Sequence, residues 1–185
     1  MSDWEIVAEV VKTIGAAATG AGFCLSYFAL RKEYGWRRKR FTVDLFLRSS
    51  GDHSRANLEL LAKAFPALLT PKPGKGPTEQ ECDEILKAMP GDLFRGDIDG
   101  FRLRRAIMDE FNAIEPIAMA YHYGLVDLEV IDKSVGTVVL RRYAFFKDFL
   151  HATKRLRGDD PWPLIPSLVA CLKRERERRG EAALD

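Results

Sequence analysis

From Ile14 to Leu30 the chain runs 17 residues without a charged side chain, IGAAATGAGFCLSYFAL. The ten residues that follow, RKEYGWRRKR, set Arg31, Lys32, Arg37, Arg38, Lys39 and Arg40 against a single Glu33. Extended back through Val10 and Val11 past Lys12, the run reaches 21 residues. As an α-helix that length measures about 31 Å, enough to match a bilayer hydrocarbon core. Acidic residues precede the run and cations follow it, the order expected for one crossing with the C-terminal side in the cytoplasm. A secretory signal peptide has the opposite order, with its basic residues first. Tyr34 and Trp36 fall where interfacial aromatics sit.

Only Ile14, Phe23, Leu25, Phe28 and Leu30 in this run are strongly apolar, so insertion of one helix alone is weakly favoured. Small residues recur four apart: Ala16 with Gly20, Ala18 with Gly22, and Gly22 with Ser26. That spacing lets two helix backbones approach closely in a bilayer, which predicts helix-helix packing and a homo-oligomer. The competing reading of the same residues is a soluble helix buried in its own domain or in an assembly.

The net charge is +2, yet residues 31–40 alone carry +5 and residues 1–30 carry −2, so everything from Phe41 onward nets −1. A nucleic-acid binder spreads Lys and Arg over its folded domain to meet many phosphates, and this chain does not. Its cations are instead predicted to contact anionic lipid headgroups, at about 1 kcal/mol each near the surface. Cys24, Cys82 and Cys171 are far apart and odd in number, which suggests neither a disulfide framework nor a zinc site.

Beyond the basic cluster the pattern is helical throughout. Gly35 is the expected weak spot of a helix that continues to about Arg48. Asp52 or Ser54 is expected to cap a second helix through Leu58, Leu61, Phe65 and Leu69, kinked by Pro66. The stretch TPKPGKGP at 70–77 is a loop. Its Gly-Lys pair lacks the rest of a phosphate-binding P-loop. Thr78 with Glu81 forms a capping-box pattern for a short helix ended by Pro90 and Gly91. A broad apolar stripe from Asp99 to Tyr123 predicts a central helix ended by Gly124. Asp127 caps a brief helix that Gly136 breaks, one long helix follows from Thr137 to Arg157, and a last helix carries Trp162 to Leu172 with the solvated tail KRERERR. No stretch sustains the two-residue alternation of a strand.

The order of apolar helix, Trp36 with its basic cluster, FNAIEPIAMAYHYGLVD, RRYAFFKDFL and DDPWP resembles a family of bacterial and phage helical domains of unknown function. The resemblance covers most of the chain and rests on packing positions. It implies an N-terminal membrane helix ahead of a helical domain, and no reaction. Pro116 after Glu115 departs from the pattern and works against a straight helix there.

Candidate chemistry is sparse. His53, His122 and His151 are too separated to form a local metal motif. Glu115 and His122, seven apart, share a helix face as an acid and base pair would. No nucleophile, phosphate loop or metal spacing accompanies them, so Glu115 is read as a structural polar pin paired with Arg141 or Arg142 of a facing helix. The expectation is therefore an all-α protein: a long hydrophobic, transmembrane helix with its juxtamembrane cluster (1–40), then a compact cytoplasmic bundle of about five helices (41–185). Its function is read as a non-enzymatic, inner-membrane interaction or scaffolding protein. The partners are membrane lipid, an unidentified protein and possibly a second copy, with no cofactor, metal or nucleic acid. The alternative is a soluble, cytoplasmic, protein-binding regulator, phage or defence related, that oligomerises through its N-terminal helix.

Overall fold

The computed structural model of the protein describes residues 28–42, 53–70 and 74–181. The chain divides into two compact units, Met1–Arg40 and Phe41–Asp185. The first described element, α1, is a helix over residues 28–42 that runs unbroken through Gly35. Of the apolar run only Phe28, Ala29 and Leu30 fall among the described residues, and Ala16, Ala18, Gly20, Gly22 and Ser26 lie outside them. Among the described residues no helix is long and apolar enough to cross a membrane.

The second unit is built almost wholly of helices. α2 (His53–Ala64) buries Leu61 and Ala64. Proline disfavours the α conformation in the residue before it, and Phe65 accordingly leaves it (φ −135°, ψ 75°). The chain then makes a single 3-10 turn, Pro66–Leu69. α3 (Glu79–Lys87) begins with the predicted capping box: Thr78 N–H donates to Glu81 at 2.9 Å, and Thr78 Oγ1 accepts from Glu81 N–H at 3.4 Å. Its buried face is Cys82, Ile85 and Leu86. Burial pushes the Cys82 thiol up to about 12.

Two strands too short to show any alternation, β1 (Leu93–Phe94) and β2 (Ile98–Asp99), pair antiparallel around Arg95 and Gly96, both at positive φ. Asp99 then caps α4 (Gly100–His122), accepting from Arg102 N–H at 2.9 Å. The helix carries Pro116 without breaking, and its buried stripe of Leu103, Ile107, Phe111, Ile114 and Ala118 packs against α2, α3 and α8. It ends in a Schellman motif: Leu125 N–H donates to Ala120 O at 2.8 Å, and Gly124 N–H, at φ +69°, donates to Tyr121 O at 2.9 Å.

Three features of the C-terminal half differ from the sequence pattern. Asp127 caps α5 (Leu128–Ile131) as expected, but Gly136 does not break the chain's helical course. A π-helical turn (Asp132–Gly136) leads directly into α6 (Thr137–Phe145). The expected helix from Thr137 to Arg157 is two, because Phe146 (φ −101°, ψ 19°) separates α6 from α7 (Lys147–Arg157). Gly76 presses against the Phe145 carbonyl at that junction, where a Cβ would overlap the oxygen. Third, the tail of α8 (Ile165–Arg178) is not wholly solvated, since Arg176 is buried.

Aromatic rings run through the core. Phe65 meets Phe145 and Phe146 edge-on at 5.8 and 5.7 Å, and Phe111 links Phe146 at 6.3 Å to Trp162 at 5.3 Å. Edge-to-face pairs of this kind add about 0.5 to 1.5 kcal/mol each beyond their buried area.

Gly136 is the glycine on which the fold turns, because a Cβ there would fall on the Asp132 carboxylate. Gly136→Ala is expected to destabilise the unit by about 1 to 3 kcal/mol in chemical denaturation, although alanine is the better helix former. Unchanged or raised stability would show that the π turn yields freely.

Candidate functional site

Several polar ties among the described residues hold the helices of the second unit together. The most enclosed centres on Asp132, whose side chain is 4 % exposed. Its Oδ1 accepts from Arg176 Nε at 2.7 Å, and its Oδ2 pairs with Arg179. Arg176 Nη2 also donates to Thr137 Oγ1 at 2.9 Å. The π turn and the C-terminal end of α8 are thereby fixed to each other, with both carboxylate oxygens occupied.

The second tie is the buried ion pair that the sequence reading placed at Glu115. The residue that meets Arg142 of α6 is Glu110, one turn and a half earlier on α4, at 3.3 Å. Burial dominates both partners, holding the Glu110 carboxyl above and the Arg142 guanidinium below their ordinary values. Arg142 is 8 % exposed and its Nη1 has no hydrogen-bond partner. Next to it, Asn57 Nδ2 of α2 donates to Asp109 at 3.3 Å.

Glu115 acts differently. Its Oε1 accepts from Leu164 N–H at 3.4 Å at the start of α8, whose own first residues supply no side-chain cap. Burial raises its pKa, while the Leu164 and Ile165 amides lower it. The partner misassignment has a geometric cause: Glu110 and Glu115 are five apart and so project from different sides of α4. One turn before Glu115, Asn112 Oδ1 accepts from Trp162 Nε1 at 3.0 Å, the fourth tie. Asp160 caps the same corner, accepting from Trp162 N–H at 3.0 Å.

His122 is exposed and stacks edge-on against Tyr123 at 5.2 Å, two helical turns from Glu115, so the two do not form an acid and base pair. Arg155 of α7 reaches Glu79 and, at 2.7 Å, Asp83, which line an open depression on α3. Arg155 thus fastens α7 to α3. Among the described residues no group of three or more His, Cys, Asp or Glu side chains is placed to hold a metal ion. The polar interior joins helices.

Of the basic residues in α1, Arg31, Lys32, Arg37, Lys39 and Arg40 are exposed and Arg38 is half-buried. Arg37 pairs with Glu33 at 2.6 Å. Phe28, Leu30, Tyr34 and Trp36 are exposed along the same helix.

Removing one partner of a buried ion pair strands the other, so Glu110→Leu alone is expected to cost about 3 to 5 kcal/mol, and Glu110→Leu with Arg142→Met to recover most of it. Additive losses in the double variant would refute the coupling. At Glu115 the expected effect depends on pH. Its folded pKa is raised above 4.5, so its contribution to stability is present below that pH and declines as pH rises through the folded value. Glu115→Gln keeps an acceptor for the Leu164 amide and removes that titration. Its stability relative to the unchanged protein is therefore expected to improve from pH 4 to pH 7, and a relative loss over that range would contradict burial as the dominant cause.

No curated protein and no solved structure matches the chain. The model of one family, described as a domain of unknown function (DUF4760), matches residues 16–162. The match takes in all but the first two residues of the run Ile14–Leu30, the whole basic helix and the domain as far as Trp162, and on that span the chain belongs to this family.

Proposed function

We infer that the protein is a membrane-tethered helical interaction module without catalytic chemistry of its own. The observation that carries this reading is the distribution of side chains along α1. A helix lying flat on a bilayer keeps its apolar residues on one face. In α1 they form bands across the axis instead. Phe28 and Leu30, two residues apart, project about 160° from each other, and Tyr34 and Trp36 do the same one turn and a half further on. Arg37, Arg38, Lys39 and Arg40, being consecutive, cover nearly the whole circumference. Apolar, aromatic and basic levels in that order suit a helix leaving a bilayer steeply through its interface. Arg31 and Lys32 reach the headgroups by extending their stems along the helix.

The family match supports treating helix and domain as one unit, because it begins at Ala16 inside the apolar run and continues into the bundle. The interaction role is supported by the interior: the buried charges of the second unit are engaged in joining helices, which leaves the surface to meet partners. Positive charge on the C-terminal side of the run puts the domain in the cytoplasm.

Alkaline carbonate washing of membranes carrying the full chain, or a version beginning at Arg31, tests the tether. The full chain is expected to stay with the membrane and the shortened one to wash off. Release of both would make Ile14–Leu30 an assembly helix of a soluble regulator.

A further inference from the structure

Residues four and seven apart share one side of an α-helix, so α1 carries its charges in three rows along the axis. One row is Arg31, Gly35 and Arg38, the next is Lys32, Trp36 and Lys39, and the last is Glu33, Arg37 and Arg40. The first is the least exposed, since Gly35 and Arg38 are both half-buried. The last contains the cluster's one acid, and Glu33 there accepts from Arg37 at 2.6 Å. The middle row sets Trp36, 70 % exposed, between two exposed lysines and has no carboxylate.

The rows are therefore unequal as surfaces for an anion. A carboxylate on the same side of the helix cancels part of the field of its neighbours, so the row of Glu33 nets one positive charge from two arginines. The row of Trp36 nets two, beside an aromatic ring open to the surroundings. Lys32 and Lys39 lie about 6 Å and 4.5 Å along the axis on either side of Trp36. Those offsets match the depth of one headgroup layer, about 5 to 8 Å on each side of the hydrocarbon. Side chains lean toward the N-terminal end of a helix, which inclines Lys39 back to the Trp36 level. The Lys32 stem is long enough to reach outward to the same level, where an indole settles in a bilayer.

We propose that Lys32, Trp36 and Lys39 form a contact selective for an anionic phospholipid headgroup over a zwitterionic one. The two ammonium groups meet the lipid phosphate, and a headgroup that ends in a choline cation is disfavoured beside them. Trp36 sets the depth at which they do so. The inference rests on the membrane reading above and adds to it which lipid the helix takes and on which side. It uses residues of α1 alone.

The test holds the full chain in mixed micelles with equal amounts of phosphatidylserine and phosphatidylcholine, and counts the retained lipids by native mass spectrometry. Phosphatidylserine is expected to be retained in preference. Lys32→Gln with Lys39→Gln is expected to lower the ratio of the two lipids by about 30-fold, the factor for two cations at an anionic surface. Arg31→Gln with Arg38→Gln removes the same charge from another row and is expected to lower it less than about five-fold. Equal losses in the two variants would reduce the effect to net charge and overturn the assignment to this row. Equal retention of both lipids, by a chain that resists carbonate washing, would overturn the selectivity while leaving the tether standing. A chain that carbonate releases would overturn both. Retention of an added DNA duplex in place of phosphatidylserine would make the row a nucleic-acid contact and overturn the lipid assignment.

Discussion

A carboxylate closed inside a helical domain has to be met on both oxygens, and the way Asp132 is met organises the C-terminal half of the fold. Its partners are Arg176 in the last turn of α8 and Arg179 at that helix's C-cap, so α8 cannot slide or rotate without stranding a charge. The π turn widens the helix at that place, and Gly136 leaves the space that the guanidinium and carboxylate fill. Unpaired, such a charge costs several kcal/mol, whereas the paired state itself adds little over an apolar substitute. The ion pair therefore selects one register for α8 more than it deepens the energy of folding.

The same logic runs through the other ties. Glu110 with Arg142, Asn112 with Trp162 and Glu115 with the Leu164 amide lie along one helix and reach α6, the 158–164 corner and α8 in turn. α4 is thus the element against which the others are set. The aromatic chain from Phe65 through Phe146 and Phe111 to Trp162 fills the space between those ties. Non-directional burial supplies most of the driving force, and the polar contacts decide which of several similar packings is adopted.

Much of this was legible where the signal is local. Thr78 with Glu81, Asp127 and Gly124 mark helix ends through bonds made within a few residues, and each stands where its pattern placed it. What was illegible depends on residues far apart in sequence. The break at Phe146 falls where Gly76, some seventy residues away, lies against the Phe145 carbonyl. Arg176 reads as one more cation in a charged tail until Asp132 is seen beside it. Glu115 and Glu110 are indistinguishable as candidates for Arg142 by composition, and only the rotation of α4 separates them. The hairpin escaped because two-residue strands have no period to detect.

The interior and the surface of this protein are consequently devoted to different tasks. The enclosed polar ties of Asp132, Glu110, Asn112 and Glu115 hold α4, α6, α8 and the 158–164 corner to one another, so a change in one of them is felt as stability. The exposed aromatics on α1, arranged in bands along the helix, are of another kind. Such features cost solvation wherever the chain is bathed in water on all sides. An environment that is apolar on one side and ionic at its boundary removes that cost, which is the physical argument behind the bilayer tether proposed above.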